Sequence, residues 1–236
     1  MRIKKIEIIN FKGFQKETIK FQDNLTVVIG NNTAGKTTVL KALQVGLGAY
    51  LQSLKKLPGG QMYRRNFSSL DRYKAFDPVQ RDYVPNPDKP KITLWADFPK
   101  SISAEGMDFE IKDEPISWYR EFAGNYTTHT KECAGQLMEQ VDFMESRRNE
   151  NKLSIYPLVL SFGVKRTSDA QVKTATKTKE RASRIEKAYK FALHDKVDFE
   201  GAIDWLKRYD KNVKDGKEFE GTREAFYEAL QKAIPA

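Results

Sequence analysis

Hydrophobic and polar positions alternate through the first twenty-one residues, with Ile6 and Ile8 and then Ile19 and Phe21 on one side of the alternation. The Lys12-Gly13-Phe14 bend divides this stretch, which predicts two short half-buried strands. After Asp23-Asn24 the pattern becomes Leu25-Thr26-Val27-Val28-Ile29, an almost continuous β-branched run. Such a run predicts a strand covered on both faces, as in a parallel sheet. It stops at Gly30. From Lys36 the period turns helical, with Val39, Ala42, Leu43, Gly46, Leu47, Tyr50, Leu51 and Leu54 on one stripe, and Pro58-Gly59-Gly60 ends it.

The next thirty residues are polar, and Pro78, Pro85, Pro87 and Pro90 crowd their end, so little regular structure is expected from Gln61 to Pro90. Strands resume at Lys91 to Phe98, Met107 to Lys112 and Ile116 to Phe122, short and separated by Gly, Pro or Asp, which suits an antiparallel meander. Thr130 can cap a helix running to about Arg148, with Cys133, Leu137, Val141 and Met144 on its apolar face. Residues 154–162, carrying Leu158-Val159-Leu160, form a second buried-strand candidate, and helices are expected at 176–193, 199–209 and 222–234. The organisation predicted is a core over 1–60, a polar excursion and meander over 61–130, and a helical segment with one core strand (154–162) over 131–236, all within one lobe.

Composition narrows the class. With 236 residues, 39% hydrophobic and 31% charged, the chain is long enough for one good core, and disordered or disulfide-rich classes are excluded. No apolar run approaches the ~18 to 20 residues of a membrane span, and the charged start is no secretory h-region, so a cytoplasmic protein without membrane contact is expected. The single cysteine, Cys133, reads as a small buried hydrophobe. The formal charge is +9. From Lys165 to Lys190 nine basic residues face three acidic ones, which marks that region for contact with DNA or, more simply, as a solvated helix face.

One segment carries chemistry. Gly30-Asn31-Asn32-Thr33-Ala34-Gly35-Lys36-Thr37 fits G-x-x-x-x-G-K-[ST] and lies between the apolar run and the amphipathic helix. A loop of that length can wrap a β-phosphate with its amide N–H groups pointing inward, its glycines permitting close approach. The helix that follows adds the positive end of its dipole. Lys36 is the catalytic cation, spanning the β- and γ-phosphate oxygens, Thr37 offers its hydroxyl to Mg2+, and Thr38 is placed for the α-phosphate. ATP and Mg2+ are the cofactors implied.

The opening Ile6-Glu7-Ile8-Ile9-Asn10-Phe11-Lys12-Gly13-Phe14, followed by the Gly30–Thr38 loop, resembles the N-terminus of the SMC/RecF-like branch of ABC-type ATPases. Within that branch it is most similar to bacterial AAA-family ATPases of the overcoming-lysogenization-defect and PtuA (Septu and retron) kind. The resemblance covers about the first fifty residues firmly, and the surroundings of Trp118, Leu158 to Arg166 and Trp205 loosely. It implies an α/β P-loop NTPase fold, an ABC-type head lobe with an antiparallel meander and a helical segment. It also places Asn10, Phe11 and Lys12 beside the nucleotide, with Lys12 a second cation for the phosphates. A second ATPase subunit, as homodimer or higher oligomer, and a nuclease are the partners it implies, in DNA repair or anti-phage defence. Thr33 stands where many such loops have glycine, which a negative φ at that residue would tolerate.

The resemblance also calls for a Walker B Asp-Glu and an L-S-x-G signature. Leu160-Ser161-Phe162-Gly163 spells the signature but does not open a good helix. Thr93-Leu94-Trp95-Ala96-Asp97 and Phe191-Ala192-Leu193-His194-Asp195 end hydrophobic runs in Asp without the Glu. The expectation is the N-terminal lobe of a longer ATPase, ending before those segments, that holds ATP-Mg2+ and turns it over poorly by itself. Two rivals stand beside it. A small kinase or GTPase would use Arg64, Arg65, Arg72 and Arg81 as a lid, and a nucleic-acid-binding module would hold nucleotide as a structural ligand. His129 and His194 have no ligand-spaced neighbours, and Trp118, Tyr119, Trp205 and Tyr209 suit core packing.

Overall fold

The computed structural model describes residues 1–55, 57, 63–102, 109–111, 114–149, 156–161, 189–194, 207, 209–216, 224 and 228. Met1–Gly163 with Thr178–Asp195 make one compact unit, and Val164–Lys177 with Lys196–Ala236 a second. In the second unit, 209–214 are helical, Tyr209 is buried, and the turn closes at Gly216 with φ 69°. Of the helices predicted for 176–193, 199–209 and 222–234, Tyr189, Lys207, Tyr209, Glu224 and Glu228 are helical, whereas 190–193 form a turn in which Phe191 takes φ 60°; the rest, with Trp205 and the basic region up to Lys187, lies outside the described residues.

In the first unit the alternating start forms a hairpin of β1 (Arg2–Phe11) and β2 (Phe14–Lys20), with Phe11 opposite Phe14. Its tight loop takes positive φ at Lys12 (52°). The amphipathic stripe forms α1 (Lys36–Ser53). The polar excursion is more ordered than its composition suggests: a 3-10 turn at Ser69–Asp71 leads into a ribbon of β3 (Lys74–Asp77) and β4 (Asp82–Pro85). Pro85 closes that ribbon without breaking it because it ends an edge strand. Then come β5 (Lys91–Asp97), β6 (Pro99–Ile102), β7 (Phe109–Ile111), β8 (Ile116–Glu121) and α2 (Lys131–Asn149). The main sheet has the order β2-β1-β5-β8, antiparallel throughout. Because β6 and β7 pair with each other, β5 and β8 become direct neighbours, which modifies the expected meander.

Two strand predictions fail. Leu25 to Ile29 joins no ladder, and Leu25, Val27 and Ile29 are 74%, 69% and 87% exposed. Tyr156 to Ser161, within the predicted strand 154–162, also joins no ladder, its Ser161 N–H donating instead to the Ala192 carbonyl at 2.7 Å, with Val159 buried but Leu158 and Leu160 exposed. An apolar run specifies a buried strand only where other strands supply hydrogen bonds, and none among the described residues does so here.

The inward rows of the sheet, Ile6 and Ile8, Ile92 and Leu94, and Trp118, are fully or almost fully buried in the core they share with α1. Two glycines set how closely helix and sheet approach. A Cβ on Gly46 would lie 2.5 Å from Leu94 Cδ1, and one on Gly48 would lie 2.5 Å from Arg120 Nη1 and 2.9 Å from the Arg65 carbonyl. Glycine inside a helix costs about 1 kcal/mol in propensity, and the close approach offsets it. Trp118 Nε1 donates to the Gly46 carbonyl at 2.9 Å. Fully buried Arg120 donates to the carbonyls of Val45 and Arg65 and to the side chains of Gln52 and Asn66, so a guanidinium without a carboxylate ties β8, α1 and the 65–66 segment together. Burial, with Arg64 nearby, draws its pKa down to about 9. On α2 the predicted face is buried at Cys133, Leu137, Val141 and Met144, and Thr130 Oγ1 accepts from the Cys133 N–H at 3.4 Å. Among the described residues no helix is long and apolar enough to cross a membrane.

Gly48→Ala is expected to lower unfolding stability by about 1 to 2 kcal/mol despite alanine's helix propensity, because the backbone carbonyl of Arg65 cannot yield cheaply. In α2, Gly135 has nothing within 4 Å of its Cβ position, and Gly135→Ala is expected to raise stability by up to about 1 kcal/mol. Urea midpoints of the two variants check both signs. A pH effect follows from His129, whose pKa is lowered to about 4 by burial and then by Arg120 and Arg64. Unfolding lets that ring take a proton below its ordinary value near 6.5, so stability falls as pH drops from about 6.5 to about 4. A pH series of urea melts should show that slope, reduced in His129→Gln.

Candidate nucleotide site

The turn that opens α1 begins at Gly35, in the left-handed region at φ 91°, with no side-chain cap and no acidic residue in the first turn of the helix. Amide N–H groups at a helix start lack intrahelical partners, so an uncapped, acid-free first turn suits a phosphate chemically. Gly35 is also a contact. A Cβ there would lie 2.5 Å from Phe14 Cζ, so the first residue of β2 lays its ring against the loop. At the other end, a Cβ on Gly30 would lie 3.1 Å from the Ala34 Cβ. The Ala34 N–H donates to the Asn31 carbonyl at 3.2 Å and closes the bend.

Lys36 Nζ donates to the carbonyls of Gly30 and Asn31, each at 2.7 Å. The ammonium is folded back over its own loop, on neutral acceptors that phosphate oxygens would outcompete. Asn31, Asn32, Thr33, Ala34 and Thr37 are exposed, and Gly35, Lys36 and Thr38 half-buried, so the hydroxyl assigned to Mg2+ on Thr37 is accessible. Thr33 departs from expectation: its φ is 74°, not negative, and its hydroxyl donates to the Asn32 carbonyl. The residue therefore carries the strain that glycine would avoid.

Of the three hairpin residues expected beside the nucleotide, Phe11 is fully buried with its ring edge-on to Phe67 at 5.8 Å, so that ring serves the core. Asn10 is buried at φ 50°; its carbonyl accepts from the Tyr73 N–H at 2.9 Å and its Oδ1 from Asn86 Nδ2 at 3.3 Å. Lys12 Nζ lies 2.7 Å from Asp71 Oδ1, and the Lys12 N–H donates to the Asp71 carbonyl at 2.8 Å. Asp71 did not stand out in the sequence. Its signal is Ser68-Ser69-Leu70-Asp71, a capping-box spacing: both the N–H and the hydroxyl of Ser68 donate to Asp71 Oδ2. Burial alone would raise this carboxyl, but the hydrogen bonds from Lys12 and Ser68 hold it below its ordinary value.

Other predicted positions separate from the loop. Asp97 pairs with Arg2 in the sheet register, about nine residues along β1 from the Phe11 end, roughly 30 Å away at strand rise. It faces Lys4 at 3.4 Å instead. Asp195, Phe162 and Gly163 lie outside the described residues. Three of the four arginines of the kinase or GTPase reading sit on separate segments with different surroundings. Arg65 Nη1 donates to Gln44 at 3.1 Å and its Nη2 lies 3.7 Å from Asp71, Arg72 lies over the Phe122 ring, and Arg81 sits between β3 and β4. No group of three or more metal-binding side chains occurs among the described residues.

A glycine-bounded phosphate loop opening a helix against an antiparallel sheet defines an α/β lobe of the P-loop NTPase class. The profile of the AAA_23 family, an AAA domain, matches residues 5–234, and the chain belongs to that family. It is similar to the chromosome partition protein Smc of Halothermothrix orenii, 36% identical over 91 residues covering 38% of this chain and 8% of that protein. It is similar to the DNA replication and repair protein RecF of Leptospira biflexa, 31% identical over 84 residues, 36% of this chain and 22% of that protein. A retron Ec83 probable ATPase of Escherichia coli is 23% identical over 215 residues, 88% of this chain and 34% of that protein. The chain thus spans about a third or less of the length of these relatives.

The two strained positions of the loop should respond differently. Thr33→Gly, at an exposed residue, is expected to leave stability within about 1 kcal/mol and ATP affinity undiminished, since relief of positive φ offsets glycine's entropy. Gly35→Ala meets both positive φ and the Phe14 ring, and is expected to cost about 2 kcal/mol and to weaken ATP. Urea melts and nucleotide titrations on both variants check the contrast.

Proposed function

We propose that the Gly30–Thr37 loop binds ATP with Mg2+ and that the chain is the nucleotide-binding part of an SMC/RecF-like ATPase. The observation that carries this reading is Lys36 folded on its own loop carbonyls at the uncapped, acid-free start of α1. Family membership supports the same chemistry. Loop amides and Lys36 would hold the β- and γ-phosphates, and the Thr37 hydroxyl would meet the Mg2+ that neutralises them. Among the described residues, no Asp-Glu pair stands beside the loop to activate water, so turnover by this chain alone is expected to be slow.

In this reading the exposed apolar run Leu25–Ile29 receives a strand from elsewhere in the assembled ATPase, and ATP drives engagement of two such lobes. The reading extends to DNA and a nuclease as partners, in repair or anti-phage defence; the name of the RecF relative, a DNA replication and repair protein, supports work on DNA, and the basic Lys165–Lys190 region is the DNA contact proposed. Calorimetry with ATP-Mg2+ tests the core claim. Uptake by the wild-type chain and its loss, at least tenfold in affinity, in Lys36→Ala is the expected result. Equal affinity in the two proteins would remove the loop from the site.

A further inference from the structure

We infer that Asp71 is a positioning residue for nucleotide: it holds Lys12 by both its main chain and its ammonium at the tip of the β1–β2 hairpin, fixing a second cation beside the phosphate loop. This rests on the nucleotide reading of the Gly30–Thr37 loop and goes beyond it to a residue on a different segment.

Asp71 is 1% exposed, while its partner Lys12 is half-buried. Its carboxylate is oriented before Lys12 is considered, because Oδ2 takes the N–H and hydroxyl of Ser68 at 2.9 and 3.0 Å. That leaves Oδ1 for Lys12 Nζ at 2.7 Å, with Arg65 Nη2 behind it at 3.7 Å. The carbonyl of Asp71 fixes the Lys12 amide at 2.8 Å, and Tyr73 N–H on Asn10 and the Phe11–Arg72 bridge stitch the rest of the 71–73 segment to the end of β1. Lys12 is thereby held at φ 52°, a conformation that a lysine alone disfavours.

The hairpin tip bears on the loop. Phe14, two residues after Lys12, packs its ring on Gly35, so the turn that carries Lys12 abuts the turn that would carry phosphate. A lysine has a long flexible stem, and ordering it on binding opposes affinity; a carboxylate that has already ordered it removes that opposition. One ammonium proton is used on Asp71, and the others remain for phosphate oxygens. With Lys12 and Arg65 around a single carboxylate, the cluster keeps a net positive charge toward an anion.

The test is a double-substitution cycle read by ATP-Mg2+ titration of the full chain, with thermal melts confirming the fold. Asp71→Asn and Lys12→Gln are each expected to weaken ATP about five- to twentyfold, and the double variant no more than about twofold beyond Lys12→Gln. Ser68→Ala, which keeps both charges but loosens the carboxylate, should weaken ATP by a smaller factor and stands in for Asp71→Asn if that variant does not fold. Unchanged affinity in the folded variants, or losses that multiply in the double variant, would overturn the inference while leaving the loop in place. A wild-type protein that takes up no nucleotide would remove the loop reading and this inference together.

Discussion

The close seat of α1 on the sheet is the constraint on which the site depends. Leu94 and Arg120 occupy the space that side chains at Gly46 and Gly48 would need, and Trp118 anchors its indole on the Gly46 carbonyl between them. These contacts act in the middle of α1, away from any ligand. A helix is stiff over eighteen residues, so fixing its middle also fixes the direction of its first turn. The uncapped amides at Lys36 onward point where they do because β5 and β8 hold the helix two turns and more further on.

A second fixed point lies at the hairpin. Phe14 against Gly35 and Asp71 against Lys12 bring β2 and the 68–73 segment to the same end of the sheet. The excursion after α1, which looked irregular from its prolines, thus supplies an almost fully buried carboxylate at that end. At the opposite end, Asp97 and Asp23 gather around Lys4 and Arg2. The two ends of the sheet carry different chemistry: Lys4 and Arg2 paired with buried Asp97 and exposed Asp23 at one, the glycine-bounded loop and the Lys12–Asp71 pair at the other.

What the sequence disclosed was whatever depends on local periodicity. The loop motif, the α1 and α2 stripes and the hairpin at Lys12-Gly13 are read from neighbours within a few residues, and Gly46 fell on the apolar stripe even before its contact with Leu94 was visible. Pairing is not local, and for that reason Leu25 to Ile29 and Leu158 to Leu160 were misread: their composition is that of a covered strand, but nothing in the stretch itself provides the cover. Thr33 illustrates the same limit at one residue, since φ is set by how the loop closes on Gly35, not by threonine's own preference. Asp71 was hidden differently, its capping-box spacing visible but its partner, Lys12, fifty-nine positions earlier.

These limits meet in the loop itself. Its C-terminal side is held through α1 by buried contacts on three strands, whereas its N-terminal side continues a run in which Leu25, Val27 and Ile29 face solvent. Exposing several large apolar side chains in succession costs on the order of 1.5 to 3 kcal/mol for each one that burial would have covered. A phosphate cradle needs both its ends fixed, because each amide must point at the same few oxygens. Covering Leu25–Ile29 would bury apolar surface and, because the run leads directly into Gly30, would also fix that end of the loop. In the proposed nucleotide reading the two would be coupled: ordering this run would favour nucleotide in the loop, and nucleotide would favour the ordered run.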